Sequence, residues 1–270
     1  PAVIFASQDG EKLNLQQTIE AALEVNLRLQ QSRDEVNAAE ANRNARRTDF
    51  FPTLTTQYSY LRRDEPTVQA LGFTGQVTNV LINPEEEYNF VTSFSQPIFT
   101  GFALINQYKI ASLGLDAAEI SEKLTQQDVI LDAKNAYYSI LKAKKLMLVA
   151  ETTVKQIASQ KEVAENMYQV GMSPLNDLLQ DQVRLANAKQ ALITAQNNLA
   201  VANAQFNTLL RRPVNTPVSI ADILDYVPFE QDIDYCLSQA EDNRLEIEVA
   251  ELEVQIAEKD YKLTQRDYYP

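Results

Sequence analysis

Near its beginning the chain alternates polar and apolar positions with the period of an α-helix. From about Leu13 to Thr48, apolar residues recur at intervals of three and four, with arginine, glutamate, glutamine and asparagine between them. The apolar positions are Leu15, Ile19, Ala22, Leu23, Leu27, Leu29 and Val36. The pattern stops at Asp49-Phe50-Phe51-Pro52, because a proline disfavours helical conformation in the residue before it. The sequence therefore predicts a helix that ends just before Pro52.

From Thr53 the period changes to two, which is typical of a β-strand with two different faces. Two stretches show this period, and in both of them one face is apolar and aromatic while the other is small and polar. The first face carries Leu54, Thr56, Tyr58 and Tyr60 in one stretch and Tyr88, Phe90, Thr92 and Phe94 in the other. The second face carries Thr53, Thr55, Gln57 and Ser59, and then Asn89, Val91, Ser93 and Ser95. Between the stretches, Pro66, Gly72, Gly75 and Pro84 favour a loop.

Two structures explain this alternation. Each stretch has about the 9–11 residues that a tilted strand needs to cross a bilayer, and interfacial aromatics on an apolar face are typical of such strands. A water-soluble hairpin with one buried face would show the same period. The residues alone leave both interpretations open.

After the second stretch the pattern predicts one very long helix, or two stacked ones, from Phe102 to about Tyr168. The segment Val170-Gly171-Met172-Ser173-Pro174 then predicts a tight reversal. Gly171 suits the position just past a helix end, Ser173 suits an N-cap, and Pro174 suits the first position of the returning helix.

The returning helix has a strict three-four spacing of large and small apolar residues, as in a coiled-coil seam. It is predicted to end near Arg211-Arg212-Pro213 and to be followed by a connector to about Glu230 and by another helix that runs to Gln265. The seam consists of Leu185, Ala188, Leu192, Ala195, Leu199, Ala202, Phe206 and Leu209.

Composition narrows the possible functions. The chain has 270 residues, a net charge of −13, no histidine and one cysteine, Cys236. The missing histidines remove the usual general base and zinc ligand, and the acidic surface argues against nucleic acid as a partner. There is no glycine-rich phosphate loop and no nucleophile elbow, so we expect neither catalytic residues nor a metal or cofactor, and we expect no enzyme activity. No uncharged apolar stretch reaches the ~18 residues of a membrane-spanning helix.

The chain ends much as its first part did. At an offset of 218 residues, Arg47-Thr48-Asp49-Phe50-Phe51-Pro52 corresponds to Gln265-Arg266-Asp267-Tyr268-Tyr269-Pro270. The same offset pairs Ala22 with Ala240 and Leu27 with Leu245. Long-period repeats indicate duplicated architecture. We therefore expect a second strand pair and a second helical hairpin after Pro270, in a longer protein of which this chain is the first half to two-thirds.

Taken in order, these motifs resemble the TolC-like outer membrane efflux protein family, also called outer membrane factors, over nearly all of residues 13–270. The resemblance depends on the helix that ends at Asp49-Phe50-Phe51-Pro52, on Gln96-Pro97-Ile98-Phe99 after the second stretch, and on the turn around Gly171. Asn176-Asp177-Leu178-Leu179, the Leu209-Leu210-Arg211-Arg212-Pro213 stop and the repeat add to it. It implies a mainly α fold with a transmembrane β-hairpin, in which long antiparallel helical hairpins form an α-barrel and the strands contribute to a trimeric β-barrel.

The family resemblance also implies a function and partners. It indicates a homotrimeric channel subunit in the outer membrane of a Gram-negative bacterium, with a periplasmic extension. Such a subunit is a passive export duct of a tripartite efflux or type I secretion system, and its partners are a periplasmic adaptor (membrane fusion) protein, an inner-membrane pump and outer membrane lipid.

The resemblance assigns roles to particular residues. It implies adaptor docking at Val170, Gly171, Met172 and Ser173, and a contact between neighbouring hairpins at Asp177. Helix capping at Gly171 and Ser173, and the helix dipole at Asp177, explain the same residues without these roles. The lipid-facing strand residues would be Leu54, Tyr58, Tyr60, Tyr88, Phe90 and Phe94.

The predicted organisation has four parts. Residues 1–52 form an N-terminal segment and the first periplasmic helix, and 53–100 form the transmembrane β-hairpin with an extracellular loop. Residues 101–212 form the long periplasmic hairpin with its tip near 168–175, and 213–270 form an equatorial connector and the second-repeat helix. The alternative is a soluble coiled-coil scaffold or adaptor rod, which the helices permit but the two aromatic strands and the repeat oppose.

Overall fold

The computed structural model describes residues 12–65, 67–73, 76–222 and 228–268, and for 67–73, 76–83 and 267 it describes the backbone alone. The predicted repeat partners Tyr269 and Pro270 lie outside this range. Helices dominate the described residues. They are α1 (Leu15–Val25), α2 (Leu27–Thr48), α3 (Ala103–Gln169), α4 (Leu175–Leu209), α5 (Ile233–Asn243) and α6 (Leu245–Thr264), with a 3₁₀ turn at Gln265–Tyr268.

The predicted first helix is in fact two helices. Helix α1 begins with a capping box, in which the Asn14 side chain accepts from the Gln17 amide at 2.7 Å and Gln17 Oε1 accepts from the Asn14 amide at 3.0 Å. It ends at Asn26, whose backbone is extended. The Asn26 Oδ1 accepts from the Arg28 amide at 2.9 Å and so caps α2. The apolar pattern alone joins the two helices and does not mark this break.

The predicted repeat is visible in the helix boundaries. Adding 218 to the limits of α1 gives residues 233–243, which are the limits of α5. The break at Asn26 recurs at Arg244, which is again extended, and the cap Asn14 recurs as Asp232, whose carboxylate accepts from the Ile233 amide at 2.8 Å. The two copies therefore share capping and break positions as well as sequence pattern.

Helices α3 and α4 form the long hairpin. Helix α3 is a single helix of 67 residues, which corresponds to a rise of about 100 Å. All eight predicted seam residues of α4 are buried or half-buried. Helix α4 ends at Leu209, with Leu210 as its C-cap. Arg211 then has a positive φ of 54°, and the Arg212 amide donates to the Asn207 carbonyl at 2.8 Å. This closure turns the chain away just before Pro213, as predicted.

The chain divides into two compact units. The first comprises the described residues of Pro1–Asn37 and Asp116–Glu251. Its core joins α1 and α2 to α3, α4 and the connector through Ile19, Ala22, Leu29, Val129, Ala133, Tyr137, Ile140, Leu141, Ala143, Ala202, Phe206, Leu210 and Ile220. A parallel bridge pairs Leu13 with Ile220, and the fully buried Tyr137 holds it: its hydroxyl lies 2.7 Å from the Ala221 carbonyl and 3.2 Å from that of Leu13.

Arginines of α2 reach acidic residues of α3 within this first unit. Arg28 lies 3.4 Å from Asp128 and 3.3 Å from Asp132, and Arg33 lies 3.2 Å from Glu122. These side chains are largely exposed, so each pair contributes at most about 1 kcal/mol. Their main effect is to fix which residues of the two helices face each other.

The second unit comprises the described residues of Ala38–Leu115 and Leu252–Pro270 and contains all the described strands. They are β1 (Thr53–Arg62), β2 (Thr67–Phe73), β3 (Gln76–Asn83) and β4 (Glu86–Ser95), and β1 pairs with β4 and β2 with β3, both antiparallel. The loop predicted between the two stretches was therefore wrong. Residues 76–82 include Val77, Thr78, Val80 and Ile82, and these β-branched residues favour a second, inner hairpin. None of the described helices is both long and apolar enough to cross a membrane.

Candidate functional site

The first candidate site is the ladder between β1 and β4. It joins ten residue pairs in continuous register, from Thr53 opposite Ser95 to Arg62 opposite Glu86. Because side chains alternate between faces along a strand, this register collects the even-numbered residues of both strands on one face. The aromatic and apolar faces predicted separately for the two stretches therefore merge into one surface.

The six residues predicted to face lipid form three directly opposed pairs in this register. Leu54 lies opposite Phe94, Tyr58 opposite Phe90 and Tyr60 opposite Tyr88, and a threonine pair, Thr56 and Thr92, lies among them. We call the six residues of the three pairs the apolar ladder face. The Tyr60 and Tyr88 rings stack with their centroids 4.9 Å apart. None of the six side chains packs into a core, since their exposed fractions run from 47% at Tyr60 to 70% at Phe94.

The opposite face of the ladder is polar. It pairs Thr53 with Ser95, Thr55 with Ser93, and Ser59 with Asn89. Two apolar residues interrupt it, Val91 opposite Gln57 and Leu61 opposite Glu87, and each is 49% exposed. The ladder thus has one largely apolar face and one largely polar face, and the side chains of both faces are exposed along its whole length.

Charged residues close the end of the ladder nearest to the inner hairpin. Arg63 Nη2 donates to Glu87 at 2.8 Å and Arg62 Nη2 to Glu85 at 3.4 Å. The hydroxyls of Tyr60 and Tyr88 both donate to Glu86, at 3.3 and 2.9 Å. Sequence reasoning noticed these charges only as loop residues. The opposite charges of Arg62-Arg63 and Glu85-Glu86-Glu87 could have indicated that the two stretches pair with each other, since these residues lie at matching ends of the two strands.

The second candidate site is the turn between α3 and α4, which we call the hairpin tip. The Met172 amide donates to the Met167 carbonyl at 2.9 Å, and the Gly171 amide to the Tyr168 carbonyl at 3.0 Å. This pair of bonds is a Schellman motif and requires a left-handed residue. Gly171 supplies it with a φ of +76°, as predicted.

The start of the returning helix differs from the prediction by one residue. The N-cap is Pro174, which makes no side-chain capping bond, and α4 begins at Leu175. Ser173 is not the N-cap; its hydroxyl donates instead to Asp177 Oδ2 at 3.1 Å. The serine thereby orients the acidic residue of the first helical turn, where the helix dipole favours a negative charge.

The tip presents apolar side chains to solvent. Val170 is 69% exposed and Met172 is 82% exposed, while Ser173 is half-buried. Leu175 and Leu179 are also exposed. The structure thus brings the predicted tip residues and Asp177 together in one turn of the first unit. The six ladder residues lie together in the second unit. No group of three potential metal-ligating side chains occurs within the part of the chain that the structure describes.

Comparison with known proteins decides the family. A family model described as "Outer membrane efflux protein" matches residues 18–210, more than two thirds of the chain. The chain belongs to the outer membrane efflux protein family. The expected resemblance to this family is therefore confirmed, and the matched range includes the apolar ladder face and the hairpin tip. No curated protein sequence matches the chain significantly.

Solved structures show the same fold at low sequence identity. The chain is similar to CusC, whose structures concern folding and transmembrane channel formation, with 17% identity and a TM-score of 0.76 over 94% of this chain and 57% of CusC. It is similar to the outer-membrane channel OprN, with 20% identity and a TM-score of 0.74 over 94% and 55%. It is also similar to the CmeC outer membrane channel of Campylobacter jejuni, with 13% identity and a TM-score of 0.73 over 93% and 52%. This member of the outer membrane efflux protein family spans little more than half the length of these relatives.

Proposed function

We propose that the chain is part of an outer membrane channel subunit, a passive export duct through which cargo leaves the periplasm. The apolar ladder face carries this proposal. A patch of six exposed large side chains in three cross-strand pairs would promote aggregation in water but suits the hydrocarbon of a bilayer. The hydrogen-bonding face on the other side of the same ladder suits contact with water in a lumen.

The ladder also requires partners in the membrane. A two-stranded ladder leaves one edge of β1 and one edge of β4 with unpaired backbone groups, and each such group is costly in lipid. Other strands must therefore pair with both edges when the ladder enters a bilayer. Assembly as a homotrimer in the outer membrane of a Gram-negative bacterium supplies such strands, and the channel structures that this chain resembles support it.

The hairpin tip is proposed as the docking surface for a periplasmic adaptor protein that connects the duct to an inner-membrane pump. The hydrogen bonds of the Schellman turn fix the backbone of the tip, and this backbone presents the exposed apolar side chains of Val170 and Met172 to a partner. Asp177, oriented by Ser173, is proposed to contact the neighbouring hairpin in the assembled channel.

The first experiment tests the membrane role of the apolar ladder face. Phe90→Arg places a charge on it, whereas Asn89→Arg places the same charge on the polar face one residue away. Charge on a lipid-facing strand position costs about 2–4 kcal/mol at the bilayer midplane, so only Phe90→Arg should reduce the detergent-extracted trimer of the full-length protein. A water-soluble monomer of the parent protein, as expected of a coiled-coil rod, would refute the proposal. Equal loss of trimer in both variants would also count against it.

The second experiment tests docking at the tip. Gly171→Pro forces φ to about −65°, against the observed +76°, and removes the amide that donates to Tyr168. We expect full-length channels with this change to form trimers but to fail in export, measured as dye retention in cells that depend on this channel. Normal export by Gly171→Pro trimers would exclude the tip from docking while leaving the membrane role intact.

A further inference from the structure

Charge is distributed unevenly along the hairpin of α3 and α4. Residues 133–150 of α3 carry four lysines and no acidic residue, and residues 190–208 of α4 carry no charged residue. The chain as a whole has a net charge of −13, so residues 133–150 are a basic segment in an acidic protein. At physiological salt the Debye length is about 8 Å, so a ligand at the basic segment is attracted by its lysines and is screened from most of the distant carboxylates.

Three of the four lysines are available to a ligand. The side chains of Lys134, Lys142 and Lys144 are exposed, and none of them forms an ion pair with another residue that the structure describes. The fourth, Lys145, pairs with Asp222 of the connector. The basic segment therefore presents three positive charges to solvent that no described carboxylate neutralises.

An aromatic ring and a groove lie beside these lysines. Tyr138, one helical turn before Lys142, is 44% exposed, and its ring packs edge-on against the fully buried Tyr137 with the centroids 6.0 Å apart. Lys142 also lines a groove of about 560 Å³ between α3 and α4, to which Thr194 and Asn198 contribute polar side chains. This volume lies within the range of small-ligand sites. The basic segment thus combines cations, an anchored aromatic ring and side-chain hydrogen-bonding groups.

We propose that the basic segment binds the peptidoglycan of the periplasmic cell wall. This inference deepens the proposed function and rests on it, because that function places the helices in the periplasm. Peptidoglycan consists of sugar chains that carry short peptides with free carboxylates. The three exposed lysines contact these carboxylates, and the ring of Tyr138 lies against the apolar face of a sugar.

The repeated carboxylates make this polymer a better fit than other anionic partners. One exposed ion pair is worth little, but carboxylates that recur along one polymer let several lysines bind at once. A lipid surface fits less well, because Lys142 lines a groove between two helices and not a flat face. Nucleic acid is disfavoured by the net charge of −13.

The test is co-sedimentation of the intact 270-residue chain, in mild detergent, with purified insoluble peptidoglycan. We expect the parent chain to sediment with the peptidoglycan and to be released when the salt concentration is raised. Lys134→Gln/Lys142→Gln/Lys144→Gln should bind about tenfold more weakly, since each exposed ion pair contributes a few-fold. A parent chain that stays in the supernatant overturns the proposal, and so does binding of this variant at parent strength.

Two controls separate the basic segment from a general effect of charge. Lys123→Gln/Lys155→Gln/Lys189→Gln removes the same charge from exposed positions of α3 and α4 outside the basic segment, and it should bind like the parent chain. Peptidoglycan whose carboxylates have been amidated should bind the parent chain about tenfold more weakly. Equal loss of binding in both triple variants, or undiminished binding to amidated peptidoglycan, overturns the proposal.

The failure of this inference can be distinguished from the failure of the proposed function. The trimer assay of Phe90→Arg measures assembly in the membrane, whereas sedimentation measures binding by the chain in solution. A chain that forms trimers but does not sediment with peptidoglycan would overturn the inference alone.

Discussion

Tyr137→Phe offers the sharpest test of how the first unit is held together. The Tyr137 hydroxyl is completely buried, and its proton points toward the carbonyls of Ala221 and Leu13. Leu13 keeps a second donor, the Ala221 amide at 3.0 Å, but the Ala221 carbonyl loses its bond of 2.7 Å to the hydroxyl. A net hydrogen bond is worth about 0.5–1.5 kcal/mol, and an unpaired buried acceptor costs about 1–3 kcal/mol. We therefore expect a loss of about 1–2 kcal/mol at this bridge.

Hydrogen exchange at the bridge is the appropriate assay, because the loss is local. The amides of Leu13 and Ala221 donate across the bridge, to Ser219 and Leu13, and exchange only when it opens. A loss of about 1.4 kcal/mol corresponds to tenfold faster exchange at both amides. Tyr138→Phe is the control, since Tyr138 is adjacent and 44% exposed. Unchanged exchange at Leu13 and Ala221 in Tyr137→Phe would show that the hydroxyl does not hold the bridge.

The same side chain predicts a dependence on pH. Burial raises the pKa of Tyr137 above its ordinary value of 10, so the folded chain keeps a proton that the unfolded chain releases. The stability that this hydroxyl contributes is therefore fully present below about pH 10 and is lost as the pH rises through the raised pKa. The difference between the parent chain and Tyr137→Phe, followed by denaturation at a series of pH values, should shrink in that range. A difference that grows with pH would contradict this assignment.

Four further substitutions probe other parts of the fold. Gly171→Ala places a residue with a side chain at a backbone φ of +76° and should destabilise the tip by about 1–2 kcal/mol. Gly114→Ala lies inside α3 with open space around it. It should stabilise the chain by about 0.5–1 kcal/mol in denaturant titrations. Phe206→Ala empties a fully buried site and should cost about 3–5 kcal/mol in the same titrations, and a cost below 1 kcal/mol would show that the core collapses around it. Asn26→Ala removes the cap of α2 and should cost about 1 kcal/mol, with faster exchange confined to the Arg28 amide and its neighbours.

Much of this fold is local in origin, and those parts could be predicted from sequence. The period-two stretches, the seam of α4 and the glycine turn each follow from a few neighbouring residues, and all three have the predicted form. The repeat was also predictable, since both copies carry the same spacing and similar aromatic-proline endings.

The failures share a different cause. At the break between α1 and α2, Asn26 Oδ1 accepts from the Arg28 amide, and apolar periodicity does not register such a cap. The inner hairpin was missed because its glycines and prolines favour a loop, whereas Gly72 lies within β2 and Pro84 directly follows β3. The N-cap is Pro174 and not Ser173, whose hydroxyl donates to Asp177.

The unbroken register of β1 and β4 constrains how this segment can change over evolution. No bulge interrupts the ten pairs. Deleting or inserting one residue within either strand would therefore turn every side chain beyond that point onto the other face. Changes of two residues would restore the alternation. Insertions and deletions in the two strands should therefore occur in multiples of two residues. The ion pair between Arg63 and Glu87 should stay at the end of the ladder as the ladder lengthens or shortens.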